Sequence, residues 1–289
     1  MGQLDGKVAF ITGAARGQGR SHAVLLAQEG ADIIGLDICE QVPTVASPMS
    51  RQKDLDETVA LVEKTGRRMI GVKGDVRNRA DIQRALDLGL AEFGRLDIVL
   101  ANAGIYAVGL KPYDKSEQAW QDSLDIILTG TWNTLQLTAP ILVEQGQGGA
   151  IVITSSTVGV RWVTTNYDGG FDGYSAAKYG QVGMMTAYAG RLAEYNIRVN
   201  TLHPGPINTP MVANEHFAKW GEENGPLIAS FASALPVTSM EPVEMSKVVL
   251  FLVSDTGRYV TGQKVVVDAG QTSVPPAGGG TLMKHPSDG

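Results

Sequence analysis

Lys7-Val8-Ala9-Phe10-Ile11-Thr12 is a short, almost wholly apolar run, and Gly13-Ala14-Ala15-Arg16-Gly17-Gln18-Gly19 follows it without a gap. A continuous apolar run of this length reads as a strand buried on both faces, which needs helices above and below it. Residues 20–29, with Ala23, Leu25, Leu26 and Ala27, read as the helix that follows. Strand, glycine turn and helix in this order make a phosphate site. Glycines let a pyrophosphate approach the backbone, and the helix start offers unpaired N–H groups. Gly13, Arg16, Gly17, Gln18 and Gly19 are the expected contacts of this turn. The plainer reading is an ordinary glycine turn, and the next strand argues against it.

That strand, residues 32–37, ends in Asp37. A carboxylate at this place accepts hydrogen bonds from ribose hydroxyls and repels a 2′-phosphate, which selects NAD over NADP. Arg16 argues the other way, but an unneutralised carboxylate beside a phosphate costs more than a mobile Arg recovers. Residues 39–53, with Pro43 and Pro48, show no helical period and read as a long, functional loop. Asp54 is expected to cap a helix that runs to about residue 65 and ends at Gly66.

Further strands are expected at residues 69–73, 96–101, 150–154, 197–203 and 264–268. Helices are expected between them, at 79–93, 116–144, from Tyr174 to about 195, and at 244–253. This alternation implies a Rossmann-type, doubly wound α/β fold, with one parallel sheet of about seven strands in a single domain. Residues 1–270 form that domain and 271–289 a tail. Asp75 and Val76 follow the third strand; Asp75 either bonds an adenine amino group or caps the next helix. Asn102-Ala103-Gly104 follows the fourth and is small enough to let a cofactor lie against the sheet. Ser155-Ser156 closes the fifth, on the side of the sheet where ligands bind. Residues 158–173 look irregular, and 206–240 form either a substrate lid or ordinary amphipathic helix.

Tyr174 and Lys178 stand four apart, so they share one face of a helix. A phenol is a poor base near neutrality unless a cation lowers its pKa. With such help it can take a proton from an alcohol or return one to a carbonyl. The pair alone is a weak signal. The small residues after it, Ala176, Ala177, Gly180, Gly183, Ala187, Ala189 and Gly190, suggest close helix packing against another subunit. A formal charge of −6 and a pI near 5.3 argue against nucleic-acid binding. A single cysteine, Cys39, rules out an internal disulfide and fits a reducing cytosol. No apolar run of 18 residues and no secretion signal stand out, so no membrane span and a cytoplasmic location are expected, with no metal site.

Thr12-Gly13-x-x-x-Gly17-x-Gly19, Asn102-Ala103-Gly104, Ser156, Tyr174-x-x-x-Lys178 and Pro204-Gly205, in this order, resemble the short-chain dehydrogenase/reductase family over about residues 5–270. Residues 6–22 and the loop after Asp37-Ile38-Cys39 resemble the carveol dehydrogenase-like members, a subgroup associated with the redox peptide cofactor mycofactocin. The resemblance implies an NAD-dependent dehydrogenase of hydrophobic, terpenoid-like secondary alcohols that works as a homotetramer. Tyr174 would be the acid/base, Lys178 would lower its pKa and hold the nicotinamide ribose, and Ser156 would orient the substrate oxygen. Pro204, Gly205, Ile207 and Thr209 would be cofactor contacts, Thr209 to the carboxamide. In the subgroup the NAD is expected to stay bound and to be reoxidised by an external partner, mycofactocin.

The chain departs from the family pattern twice. Ile127-Leu128-Thr129-Gly130 stands where the family has Asn-Leu-x-Gly, so an asparagine proton relay must differ here. Ser156 and Tyr174 are also unusually far apart, which leaves Ser155 and Tyr167 as alternates. Carbonyl reduction in acyl-chain or steroid metabolism, and a non-catalytic NAD-binding sensor, remain rival readings.

Overall fold

Side chains alternate faces along a strand, and each central strand of this protein feeds two separate cores. The computed structural model describes residues 2–108, 116–161 and 168–273. On β1 (Val8–Thr12), Val8 and Phe10 enter one core while Ala9 and Ile11 enter the other. The same split occurs on β2 (Asp32–Asp37), β4 (Ile98–Ala101) and β5 (Gly149–Thr154), with Ile34, Val99 and Ile151 on the first side and Ile33, Leu100 and Val152 on the second. Strands β3 (Met69–Lys73), β6 (Ile197–Pro204) and β7 (Lys264–Val267) complete the sheet, whose order is β3-β2-β1-β4-β5-β6-β7 with every pair parallel.

Helices cover both faces. The first core is closed by Ile82 and Leu86 of α3 (Arg79–Phe93), Leu135 and Leu142 of α5 (Gly130–Gln145), and Ala177 and Met185 of α6 (Gly169–Leu192). The second is closed by Leu26 of α1 (Gly17–Gln28), Leu55 of α2 (Gln52–Glu63) and Met245 of α9 (Pro242–Val253). After β3 the chain returns to the middle of the sheet, so β1 and β4 part company at their carboxyl ends. A crevice opens at such a switch point.

Several boundaries differ from the sequence expectation, each for a local reason. Helix α1 starts at Gly17, three residues earlier than its apolar pattern. Asp54 is not the N-cap of α2; it sits in the first turn and accepts from Arg51 N at 2.7 Å. Helix α6 begins at Gly169, within the stretch that reads as irregular. Asp168 caps it, accepting from Gly170 N at 3.1 Å and Phe171 N at 3.2 Å. The glycines there are a packing requirement: a Cβ on Gly170 would lie 1.7 Å from Ala107 O. The long helix at 116–144 is two helices, α4 (Ser116–Ser123) and α5, joined by a π turn at Leu124–Thr129 in which Gly130 N donates back to Asp125 O. This run is long and apolar enough to span a membrane by composition alone, but Ile126, Ile127, Leu135 and Leu142 are buried in the first core.

The small-residue face of α6 is divided: Ala177 and Ala189 are buried, whereas Ala176, Gly183, Ala187 and Gly190 are exposed. A Cβ on Gly173 would strike Trp120, and one on Gly180 would strike Leu128, whereas Gly183 and Gly190 face open space. Residues 211–240 hold α7 (Glu215–Glu223) and α8 (Gly225–Ala229). Tyr167 and the tail beyond residue 273 lie outside the described residues.

Candidate active site

The glycine turn closes over the crevice. Gly13 N donates to Leu36 O at 2.8 Å, which ties the turn to β2, and its φ of 71° favours glycine. Gly19 is required for a different reason: a Cβ there would sit 1.9 Å from Gly13 O. Asn102 locks three strand ends together. Its Nδ2 donates to Thr12 O at 3.1 Å, its N donates to Thr12 Oγ1 at 3.0 Å, and its Oδ1 accepts from Thr154 Oγ1 at 3.2 Å.

Asp37 is buried at the rim. Its Oδ2 accepts from Ala15 N at 2.9 Å; its Oδ1 accepts from Ser50 Oγ at 2.6 Å and Cys39 N at 3.1 Å. Each carboxylate oxygen accepts two bonds, so Oδ2 keeps one place for a ribose hydroxyl. Arg16 donates to Pro48 O at 2.8 Å. The loop of residues 39–51 is thereby held down on both sides. Gln41 organises it from within: its Nε2 donates to Val42 O, Val45 O and Ser47 O, and its Oε1 accepts from Met49 N. Val42 and Val45 are buried, and Thr44 Oγ1 donates to Asp122 Oδ2 of α4 at 2.6 Å. Burial and the Asp37 carboxylate push the Cys39 thiol up to about 12, so it stays protonated.

The groove beneath this loop is lined by Gly13, Arg16, Gly17, Gln18, Gly19, Asp37, Asp75, Val76, Asn102, Ala103, Gly104, Tyr174, Lys178 and Thr209, all expected from sequence. It is also lined by Ile38, Val42, Met49, Ser50 and Ile126, which sequence reasoning missed because loop and π-turn residues carry no periodic signal. Asp75 is clamped by Arg77 through Nε at 2.8 Å and Nη2 at 2.6 Å. It does not cap α3; Asn78 does, accepting from Ala80 N at 3.0 Å. Buried Gln18 Oε1 has no protein partner and borders the groove, which suits a polar ligand. A close-approach glycine turn, a rim carboxylate with spare capacity and an unpaired amide together fit a dinucleotide.

A second cavity of ≈ 650 Å³ adjoins the first. Tyr106, Val158, Phe217, Trp220, Ile228 and Phe231 give it an apolar wall, and Ser156 and Tyr174 give it a polar corner. Pro204, Gly205 and Ile207, expected against the cofactor, line this cavity. Tyr106 was also missed; its ring stands edge-on to Tyr174, with centroids 5.0 Å apart. Gln18, Ser155, Tyr174, Thr209 and Met211 border both spaces, so the two meet at the phenol.

The polar corner is held by its neighbours. Ser155 Oγ donates to Lys178 O at 3.0 Å, which fixes α6 against β5. Ser156 Oγ accepts from Val158 N at 3.2 Å, and His203 Nδ1 lies 2.7 Å from Ser156 O. Lys178 Nζ donates to Thr154 O at 2.7 Å and stands 5.5 Å from the centre of the Tyr174 ring. Burial lowers the Lys178 pKa to about 7. Burial also raises Tyr174, against a smaller lowering by its hydrogen bond to Ser156. Burial of the phenol thus works against the lowering that a Tyr–Lys pair suggests. Desolvation works against the charged form of the lysine as well. Among the described residues no cluster of metal-binding side chains exists.

The family model described as enoyl-(acyl carrier protein) reductase matches residues 13–272. The chain is 48% identical to an uncharacterized oxidoreductase of Mycobacterium tuberculosis over 92% of this chain and 96% of that protein. It is 41% identical to a (−)-trans-carveol dehydrogenase of Rhodococcus erythropolis, over 94% and 99% of the two chains. Its fold matches the crystal structure of carveol dehydrogenase from Mycobacterium avium in complex with NAD, with a TM-score of 0.87 and 42% identity over 94% and 99% of the chains. The chain belongs to the short-chain dehydrogenase/reductase family.

Proposed function

We propose that this protein is an NAD-dependent oxidoreductase that interconverts a hydrophobic, terpenoid-like secondary alcohol and its ketone, with Tyr174 as the acid/base. The observation that carries the reading is the meeting of a dinucleotide groove and an apolar cavity at one phenol. The relative named as a carveol dehydrogenase supports the substrate class, and the NAD-bound neighbour supports the cofactor. Gly13, Gly17 and Gly19 admit the pyrophosphate, Asp37 holds the adenosine ribose and disfavours a 2′-phosphate, and Lys178 and Thr209 hold the nicotinamide half. When bound, NAD supplies the hydride acceptor and the positive charge that favours the Tyr174 phenolate.

The residues of the chain then have separate tasks. The aromatic wall of Tyr106, Phe217 and Trp220 excludes water and holds the hydrocarbon body of the alcohol. Ser156 donates to the substrate oxygen and aims its proton at Tyr174 Oη. Tyr174 takes that proton in oxidation and returns it in reduction. The clasped loop of residues 39–51 retains the NAD between turnovers, so an external redox partner, mycofactocin by the subgroup resemblance, reoxidises it in place.

Assembly completes the reading. Trp120, Trp132 and Tyr179 are exposed on α4, α5 and α6, and Phe251 and Val266 are exposed on α9 and β7. Two separate apolar faces suit two isologous contacts, and hence a homotetramer.

Tyr174→Phe tests the central assignment. Turnover of a cyclic terpene alcohol should fall by about 10²–10⁴-fold while nucleotide binding survives. A variant with near-normal rates would move the role to another residue. Denaturing the purified protein should release NAD(H), and an artificial electron acceptor should sustain turnover better than free NAD. An empty protein that cycles on added NAD would reject retention.

A further inference from the structure

Gln181 stands one turn after Lys178 on α6, is wholly buried, and has no task in the reading above. Its Nε2 donates to Thr131 Oγ1 at 2.8 Å and to Ile127 O at 3.3 Å. This pair fixes the orientation of the amide. Thr131 Oγ1 gives its only proton to Ile127 O at 2.7 Å, and a carbonyl can only accept, so both must face the amide nitrogen. Oε1 is the other prong of the amide, and it is buried with no protein partner. A buried, unpaired carbonyl oxygen is costly and points to an ordered water.

Lys178 offers the matching donor. Its ammonium carries three protons, and within the protein one of them goes to Thr154 O at 2.7 Å. Lys178 and Gln181 lie three apart on one helix face, both buried. Across from them is Ile127. A Cβ built on Gly104 would sit 3.8 Å from Ile127 Cγ1 and 3.9 Å from Lys178 Nζ, so the isoleucine and the ammonium border one small space. The isoleucine side chain can bond nothing there, and its carbonyl is already taken by Thr131 and Gln181.

We propose that Gln181 is a positioning residue whose Oε1 holds a buried water against the Lys178 ammonium, supplying from α6 the polar group that Ile127 does not supply from the π turn. The proposal deepens the dehydrogenase reading and rests on it. In alcohol oxidation the substrate proton ends on Tyr174 and must leave before the next turnover. Lys178 passes one proton to the water and regains one from the Tyr174 side. The water releases one of its own outward and is left unchanged. Among the described residues, the ionisable groups that face Lys178 and Tyr174 are Tyr106 before α4, Asp168 at the head of α6, which acts on Tyr106, and His203 on β6, with Lys264 behind it.

The test uses the NAD-loaded enzyme and Gln181→Met, which keeps the volume and removes the acceptor. Turnover should fall about tenfold, the effect of one lost hydrogen bond, with KM for the alcohol unchanged. The Lys178 ammonium would lose support, so Tyr174 becomes harder to ionise and the acidic limb of the oxidation profile moves to higher pH. A double variant, Ile127→Asn with Gln181→Met, returns an amide to this space from the opposite side and should move the limb back. A high-resolution crystal structure of the NAD-bound wild type should show a water within hydrogen-bond distance of Gln181 Oε1. A folded Gln181→Met enzyme with wild-type turnover and pH profile overturns the proposal, as does a dry Oε1 in that crystal, which decides the matter even if the variants do not fold. Tyr174→Phe separates the two levels: if it stays active the underlying reading fails, and if it is dead while Gln181→Met is unaltered only the water is refuted.

Discussion

Thr44→Val should loosen the loop over the dinucleotide groove without touching the groove itself. Valine keeps the shape of threonine and removes the proton that Thr44 Oγ1 gives to Asp122 Oδ2 at 2.6 Å. Both residues are buried, Thr44 at 1% and Asp122 at 6% exposure, so water replaces the bond poorly. A hydrogen bond to a charged group contributes roughly 1.5–3 kcal/mol. Asp122 keeps a bond from Gln118 Nε2 at 2.9 Å on its other oxygen, which favours the lower end. A loss of about 1–2 kcal/mol would multiply the open population of the loop by roughly 5–30. Val42 and Val45 stay buried, so the loop should open more often rather than detach. If its opening limits nucleotide release, NADH dissociation should speed up by the same factor. The assay is the decay of bound NADH fluorescence after mixing with excess NAD, beside a thermal melt that confirms folding. A folded variant with the wild-type release rate would refute the argument that this loop retains the cofactor.

Asp37→Ala should narrow the preference for NAD over NADP and also free the loop, because Ser50, Cys39 and Ala15 all donate to that carboxylate. Equal dissociation constants for both cofactors in the wild type would remove the basis for this. Trp220→Ala should raise KM for a bulky hydrophobic alcohol with little change for a short one, since Trp220 is part of the apolar wall of the cavity; a uniform change would place the substrate elsewhere. Stability should decline in acid. Burial holds His22 at a pKa of about 3 against 6.5 unfolded, so the unfolded chain binds the extra proton first and stability is lost as pH falls from 6.5 toward 3. The slope is about 1.4 kcal/mol per pH unit for each such group. His203, lowered by burial to about 4, adds the same sign, and melts of His22→Gln should show a shallower decline.

The doubly wound sheet was legible in the sequence because its signals are local. Apolar strands, glycine turns and helical patterns alternate, and a parallel sheet is the architecture that buries such strands on both faces. The glycines at 13, 17 and 19, Asp37, Ser156, Tyr174 and Lys178 were readable for the same reason: each is placed by its own element's end or helical spacing. The tertiary structure decided what depends on neighbours distant in sequence. Nothing near Thr44 announces Asp122, 78 residues away, so the sequence marks a functional loop but not the bond that pins it. Gly180 reads as part of a subunit contact, yet Leu128 of the π turn fills the space beside it. A Tyr–Lys pair implies an activated phenol, but burial disfavours the charged form of both groups. Burial is a property of the packed whole, and spacing along the chain does not contain it.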